Sequence, residues 1–203
     1  MRISKTKYSF KKMVGNILDV YNNTEQHHRY DWYGEANSYA IELANASGLS
    51  IAQCCGIIAA FSPLKNWNEN KRIAKVFITI GKTEGLHTAL FVGKATDIRG
   101  FNPAVHGNES DYILQVLRGA KISSFFLNIL NPNCAKNVTI DRHAICIALG
   151  KKLSDDQLQI TKPQYELIKQ AYLKAADIAG ISPVLLQSST WLLWRTNGQL
   201  KMF

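Results

Sequence analysis

The sequence predicts an all-α protein, and three observations carry that prediction. Apolar side chains recur at helical spacing along most of the chain. Helix start and stop residues frame those stretches. No run alternates apolar and polar residues as a half-buried strand does. The first helix spans about residues 10–22, with Met13, Val14, Ile17, Leu18 and Tyr21 on one side. A polar stretch over 22–29 leads to Tyr30, Asp31, Trp32 and Tyr33. A helix over about 34–47 is ended by Gly48. Ser50 suits an N-cap for residues 51–61, which are apolar all round and predict a central buried helix. Ser62 and Pro63 break it, because proline disfavours a helical residue before it. Asn66 or Asn68 restarts a helix through Ile73 and Phe77.

Between 81 and 110 six punctuating residues, Gly81, Gly85, Gly93, Gly100, Pro103 and Gly107, predict short helices and loops. A short helix over 111–117 runs into a turn at Gly119, and residues 122–130 form the next, stopped by Pro132. Residues 141–149 make another, ended by Gly150. Thr161 caps a helix with Pro163 in its first turn, ended by Gly180. Ser182 and Pro183 repeat that signal for a last helix over 184–195.

The chain has 203 residues, with 46% hydrophobic and 19% charged, as a globular protein does. Its formal net charge of +9 favours a polyanionic partner through counterion release. Cys54, Cys55, Cys134 and Cys146 form no CxxC pair and lack the clustering that an iron–sulfur cluster needs. They read as reduced, mostly buried thiols of a cytoplasmic protein. The basic start, Met1 to Lys7, is followed by no apolar core, so it does not read as a secretory signal. No apolar run is long enough to span a bilayer, and no membrane partner is expected. No residue set suits a metal, His27 and His28 included, and no cofactor is expected.

Two residues carry the chemistry. Lys121 follows the Gly119 turn, and Asp141 stands before Arg142 and His143. Each opens an apolar periodic stretch. A helix N-terminus disfavours a nearby ammonium, which helps make Lys121 a neutral amine. A neutral amine attacks sugar carbons and forms Schiff bases, provided it is partly desolvated. A carboxylate accepts its proton or stabilises positive charge developing on a sugar.

Helix, glycine turn, lysine and helix, followed by Ile140-Asp141-Arg142-His143, resembles the helix-hairpin-helix DNA glycosylases of the endonuclease III type. In that family a glycine-containing hairpin precedes the catalytic lysine, and a Val-Asp-Thr-His stretch carries the catalytic aspartate. The resemblance covers roughly residues 51–150. Residues 187–195, with Trp191 and Trp194, are similar to the end of phage-encoded members. The family hairpin commonly reads Leu-Pro-Gly-Val-Gly; here Leu117 stands in place of the earlier glycine.

The resemblance implies two helical lobes with a cleft between them. One lobe is 34–135, with the hairpin near 117–121; the other is 1–33 with 136–203. It implies a monomer acting on double-stranded DNA in the cytoplasm, at the nucleoid or, for a phage-encoded member, in the host. Lys121 would attack the sugar C1′ as the base leaves, and Asp141 would assist. Arg118, Gly119 and Ala120 would hold a phosphate at the hairpin. Ser62, Lys65, Asn66, Asn68, Arg142 and His143 are further candidates for DNA contact. Lys71, Arg72 and Lys136 are weaker ones. A glycosylase flips its target nucleotide, so Asn66, Trp67 or Asn68 is placed to wedge into the duplex. Trp32, Tyr33 and Trp67, with Tyr30, are base-pocket candidates; core packing is the alternative for each. The implied activity is base excision with AP lyase activity. The alternatives are a phage base-hypermodification enzyme on the same fold and a DNA-binding protein whose lysine does no chemistry.

Overall fold

The computed structural model describes residues 9–23, 31–63, 65–83 and 87–200, with only the backbone of Asp155 and 196–200. Among the described residues there is no strand. The helices are α1 (Phe10–Asn22), α2 (Trp32–Ser47), α3 (Ile51–Phe61), α4 (Trp67–Ile80), α5 (Ala89–Arg99) and α6 (Pro103–His106). They continue with α7 (Glu109–Leu117), α8 (Ala120–Leu130), α9 (Arg142–Leu149), α10 (Lys162–Ala179) and α11 (Pro183–Leu200), with a 3-10 turn at Asp155–Leu158 before α10. The basic start of the chain, His27, His28 and Tyr30 lie outside the described residues. No single helix is long and apolar enough to cross a membrane among the described residues.

The chain divides into two compact units. One is Gly34–Asn131; the other joins Met1–Tyr33 to Pro132–Phe203. The Gly34–Asn131 unit is built round α3. Ser50 and Gln53 close a capping box at its start, and every residue from Ala52 to Phe61 is buried. This helix packs against α4, α5, α7 and α8. Gly56 lets α5 and α7 approach: a Cβ there would stand 2.9 Å from Ile113 Cγ2 and 3.2 Å from Ile98 Cγ2. The 81–110 segment holds one full helix, α5, where the glycines predict only short pieces. Its glycine, Gly93, faces open space, and tertiary packing on α3 overrides the weak local signal.

Amide side chains tie helix ends together in this fold. Gln53 Nε2 donates to the carbonyls of Ile98 and Arg99 at the end of α5, both at 3.1 Å. Asn37 Nδ2 donates to Ile129 O at 2.8 Å, at the end of α8. In the other unit Asn16 Nδ2 donates to Ala148 O at 2.9 Å, near the end of α9. Each satisfies a carbonyl left without an intrahelical partner. That second unit packs α1, α9, α10 and α11 round Ile17, Val138, Ile147, Tyr172 and Leu186. Trp194 packs against this core.

Three of the four thiols are buried, and Cys134 is partly exposed. Burial pushes Cys54 up to about 11, and burial also raises Cys55 and Cys146. An aromatic disulfide reagent at neutral pH is therefore expected to modify one thiol quickly. Cys134→Ser should remove that phase, and the other three should react only on unfolding. Rapid reaction of more than one thiol in the folded chain would contradict this burial.

Candidate functional site

Helices α7 and α8 are joined by two residues, Arg118 and Gly119. Both have positive φ, 51° and 90°. Gly119 adopts this backbone without a Cβ penalty, whereas Arg118 is the one non-glycine residue with positive φ among the described residues. Two hydrogen bonds tie the end of α7 to this connection, and a third reaches that end from α5. The Arg118 N–H donates to Leu114 O at 3.2 Å, and Arg118 Nε to Gln115 O at 3.2 Å. The Lys94 ammonium of α5 donates to Leu117 O. Leu117 is fully buried and serves the core.

The start of α8 carries no side-chain cap. Its first helical bond runs from the Ser123 N–H to Gly119 O at 3.1 Å. The N–H groups of Ala120, Lys121 and Ile122 thus precede the intrahelical ladder and point out of the helix start. Arg118, Gly119, Ala120 and Lys121 are all exposed. Lys121 is the second residue of α8. The desolvation expected for a neutral amine is therefore not provided by the protein at this position, because the helix start lies at the surface.

Relief of strain at the connection is measurable. Arg118→Gly is expected to raise stability by about 1 kcal/mol, since positive φ costs a non-glycine residue about 1–3 kcal/mol and glycine adds unfolded-state entropy. Chemical denaturation reads this directly. A loss of stability would mean that the Arg118–Gln115 bond outweighs the strain.

The segment between α3 and α4 lies in the same unit as the hairpin. Ser62 Oγ donates to Ala59 O at 2.8 Å, and the Lys65 N–H to Ser62 O at 3.3 Å. Asn66 is the N-cap of α4; its Oδ1 accepts from the Glu69 N–H at 2.9 Å. Trp67 begins α4 and meets Tyr39 edge-on at 6.3 Å. The Lys71 ammonium stands 5.6 Å from the Trp67 ring and 5.8 Å from the Tyr39 ring. Tyr39 Oη donates to Lys71 O at 3.1 Å. Burial first, and then the charge of Glu42, raise the Tyr39 phenol, which keeps it a donor. Lys65, Asn66 and Asn68 are exposed, and Trp67 is half-buried.

Asp141 belongs to the other unit. It is the N-cap of α9, and its Oδ1 accepts from the Ala144 N–H at 2.8 Å. Among the described residues its other oxygen takes no hydrogen bond. The preceding residues Val138, Thr139 and Ile140 are buried. Tyr165 Oη of α10 accepts from the Ile140 N–H at 3.2 Å. The buried Tyr172 Oη donates to Ala144 O at 3.5 Å. Burial raises the Tyr172 phenol far above its ordinary range, which keeps it protonated. Arg142 is exposed, and His143 meets Trp191 edge-on at 6.0 Å. Trp32 and Tyr33 also fall in this unit, stacked edge-on at 4.9 Å, with Tyr33 in the core.

Among the described residues no three His, Cys, Asp or Glu side chains could hold a metal ion together. A family model described as "Family of unknown function (DUF7178)" matches residues 1–198. The chain belongs to DUF7178. No curated protein and no solved structure matches this DUF7178 chain.

Sequence reasoning placed Lys121 and Asp141 at helix starts in this DUF7178 member, and the two are first-turn and N-cap residues. It missed Lys94, which touches the hairpin from α5, and the bracing of the Asp141 segment by Tyr165 and Tyr172. Hydrogen bonds between residues so distant along the chain leave no periodic signal in the sequence.

Proposed function

We propose that this chain is a DNA glycosylase with AP lyase activity, acting on a damaged or modified base in duplex DNA. The two-residue hairpin carries the reading. It ends in a glycine N-cap, leaves N–H groups at the start of α8 for an anion, and sets Lys121 in the first turn. The net charge of +9 supports a polyanionic partner. In this reading the Lys121 nitrogen bonds to the sugar C1′ as the bond from C1′ to the base breaks. The sugar ring opens to an imine that acidifies the C2′ proton. Loss of that proton expels the 3′ phosphate and cuts the strand. Asp141 keeps one oxygen for its cap and has the other to accept the amine's proton. Bound DNA would supply the desolvation that Lys121 lacks.

The exposure of Lys121 supports a second reading, a DNA-binding hairpin whose lysine contacts phosphate and does no chemistry. Borohydride trapping on duplex DNA with one abasic site separates the two. A covalent adduct is expected from the wild-type chain. Tight duplex binding without an adduct would overturn the lyase reading in favour of the second.

A further inference from the structure

Helix α5 carries two cationic side chains, and each bonds a carbonyl near the end of another helix. Arg99 Nη1 donates to Ile78 O, two residues before the end of α4. Lys94 Nζ donates to Leu117 O, the last residue of α7. A cation in that place satisfies an orphan carbonyl and complements the negative end of the helix dipole. Leu117 is also the residue directly before the hairpin. The other two hydrogen bonds on the end of α7 come from Arg118 itself, so they move with the connection. The Lys94 bond comes to the residue before this connection from a helix other than the two it joins. That helix is fixed in turn, since α5 packs on α3 and its end is held by Gln53. The positive φ of Arg118 persists only where surrounding structure over-determines it.

We propose that Lys94 is a positioning residue for the hairpin: by holding Leu117 O it fixes Arg118, Gly119 and the first turn of α8. Its consequence for Lys121 rests on the lyase reading; its consequence for the hairpin does not. Lys94 touches no reacting atom in this scheme. It acts through the backbone, and a general stabiliser of the fold would act differently.

Hydrogen exchange on the full chain separates the possibilities. In Lys94→Met the hydrogen-bonded amides of residues 115–118 and 123 are expected to lose about 10-fold in protection, with α3 unchanged. Lys94→Arg, which keeps a cationic donor, should restore most of it. Unchanged protection in Lys94→Met would overturn the proposal, and so would an equal loss across the whole unit. If Lys94→Met does not fold, Lys94→Gln keeps a neutral donor and the same exchange comparison decides. Trapping at saturating abasic DNA is the second arm. Its rate is expected to fall about 10- to 100-fold in Lys94→Met, because small misplacements of a reacting group cost that much. A trapping rate equal to wild type alongside loosened exchange would overturn the positioning of Lys121. No adduct from the wild-type chain would sink the lyase reading alone, and the exchange result would still decide the role of Lys94.

Discussion

Lys121→Ala will abolish the borohydride-trapped adduct on abasic DNA and leave duplex affinity within about threefold of wild type, one phosphate contact at most being lost. The amine is the only group in the scheme that bonds to the sugar, so no partial activity is expected from its neighbours. Asp141 gives a sharper control because the lyase reading adds a second job to its cap. Its Oδ1 caps α9 through the Ala144 N–H. Asparagine caps a helix as well as aspartate does, whereas alanine costs about 1 kcal/mol. Asp141→Asn should therefore keep the thermal midpoint of wild type and lose adduct formation by about 100-fold or more, as for loss of a general base. Asp141→Ala should lose both. Trapping unchanged in Asp141→Asn would leave Asp141 with its cap and no chemistry.

Gly56→Val is the second large effect, this time on stability. Even one added carbon at Gly56 meets Ile113 Cγ2 at 2.9 Å, and Ile98 Cγ2 and Cδ1 at 3.2 and 3.3 Å. Ile98 and Ile113 are fully buried, and their β-branched methyls have little room to turn away. Alanine regains about 1 kcal/mol of helix propensity, which offsets part of the clash. Valine adds two further methyls and gains less propensity. A loss of about 3 kcal/mol is expected, or about 6–12 °C in thermal midpoint for a chain of this length. A midpoint within about 2 °C of wild type would show that α5 and α7 can move apart at no cost.

The helices that the sequence discloses best are those whose signals are local. Ser50, Gln53 and the apolar run after them define α3 without help from elsewhere. Thr161, Gln164 and Pro163 do the same for α10, and Gly150 and Gly180 end their helices in the left-handed region. The turn at Gly119 was visible because glycine is, but its partner was not. Nothing about arginine announces a positive φ, so the two-residue connection of Arg118 with Gly119 is set by what holds α7 and α8 apart. α5 was hidden for a related reason. Its sequence has little one-sided patterning, and it is helical because Ala95 and Ile98 seal against α3 while Lys94 and Arg99 reach outward to other helix ends. The sequence leaves Asn66 and Asn68 open as the restart of the helix; Asn66 caps α4 and so makes Trp67 the first helical residue.

The buried Gln53 side chain acts as a length gauge. One face of its amide accepts from the Ser50 N–H at the start of α3, and the other donates to the last two carbonyls of α5. The alignment of those two helices is thus read out at a single point in the interior. The number of residues strung between them does not set it. Evolution can then lengthen or shorten the connection between α4 and α5 without sliding α5 along α3, and the helix that reaches the hairpin keeps its place.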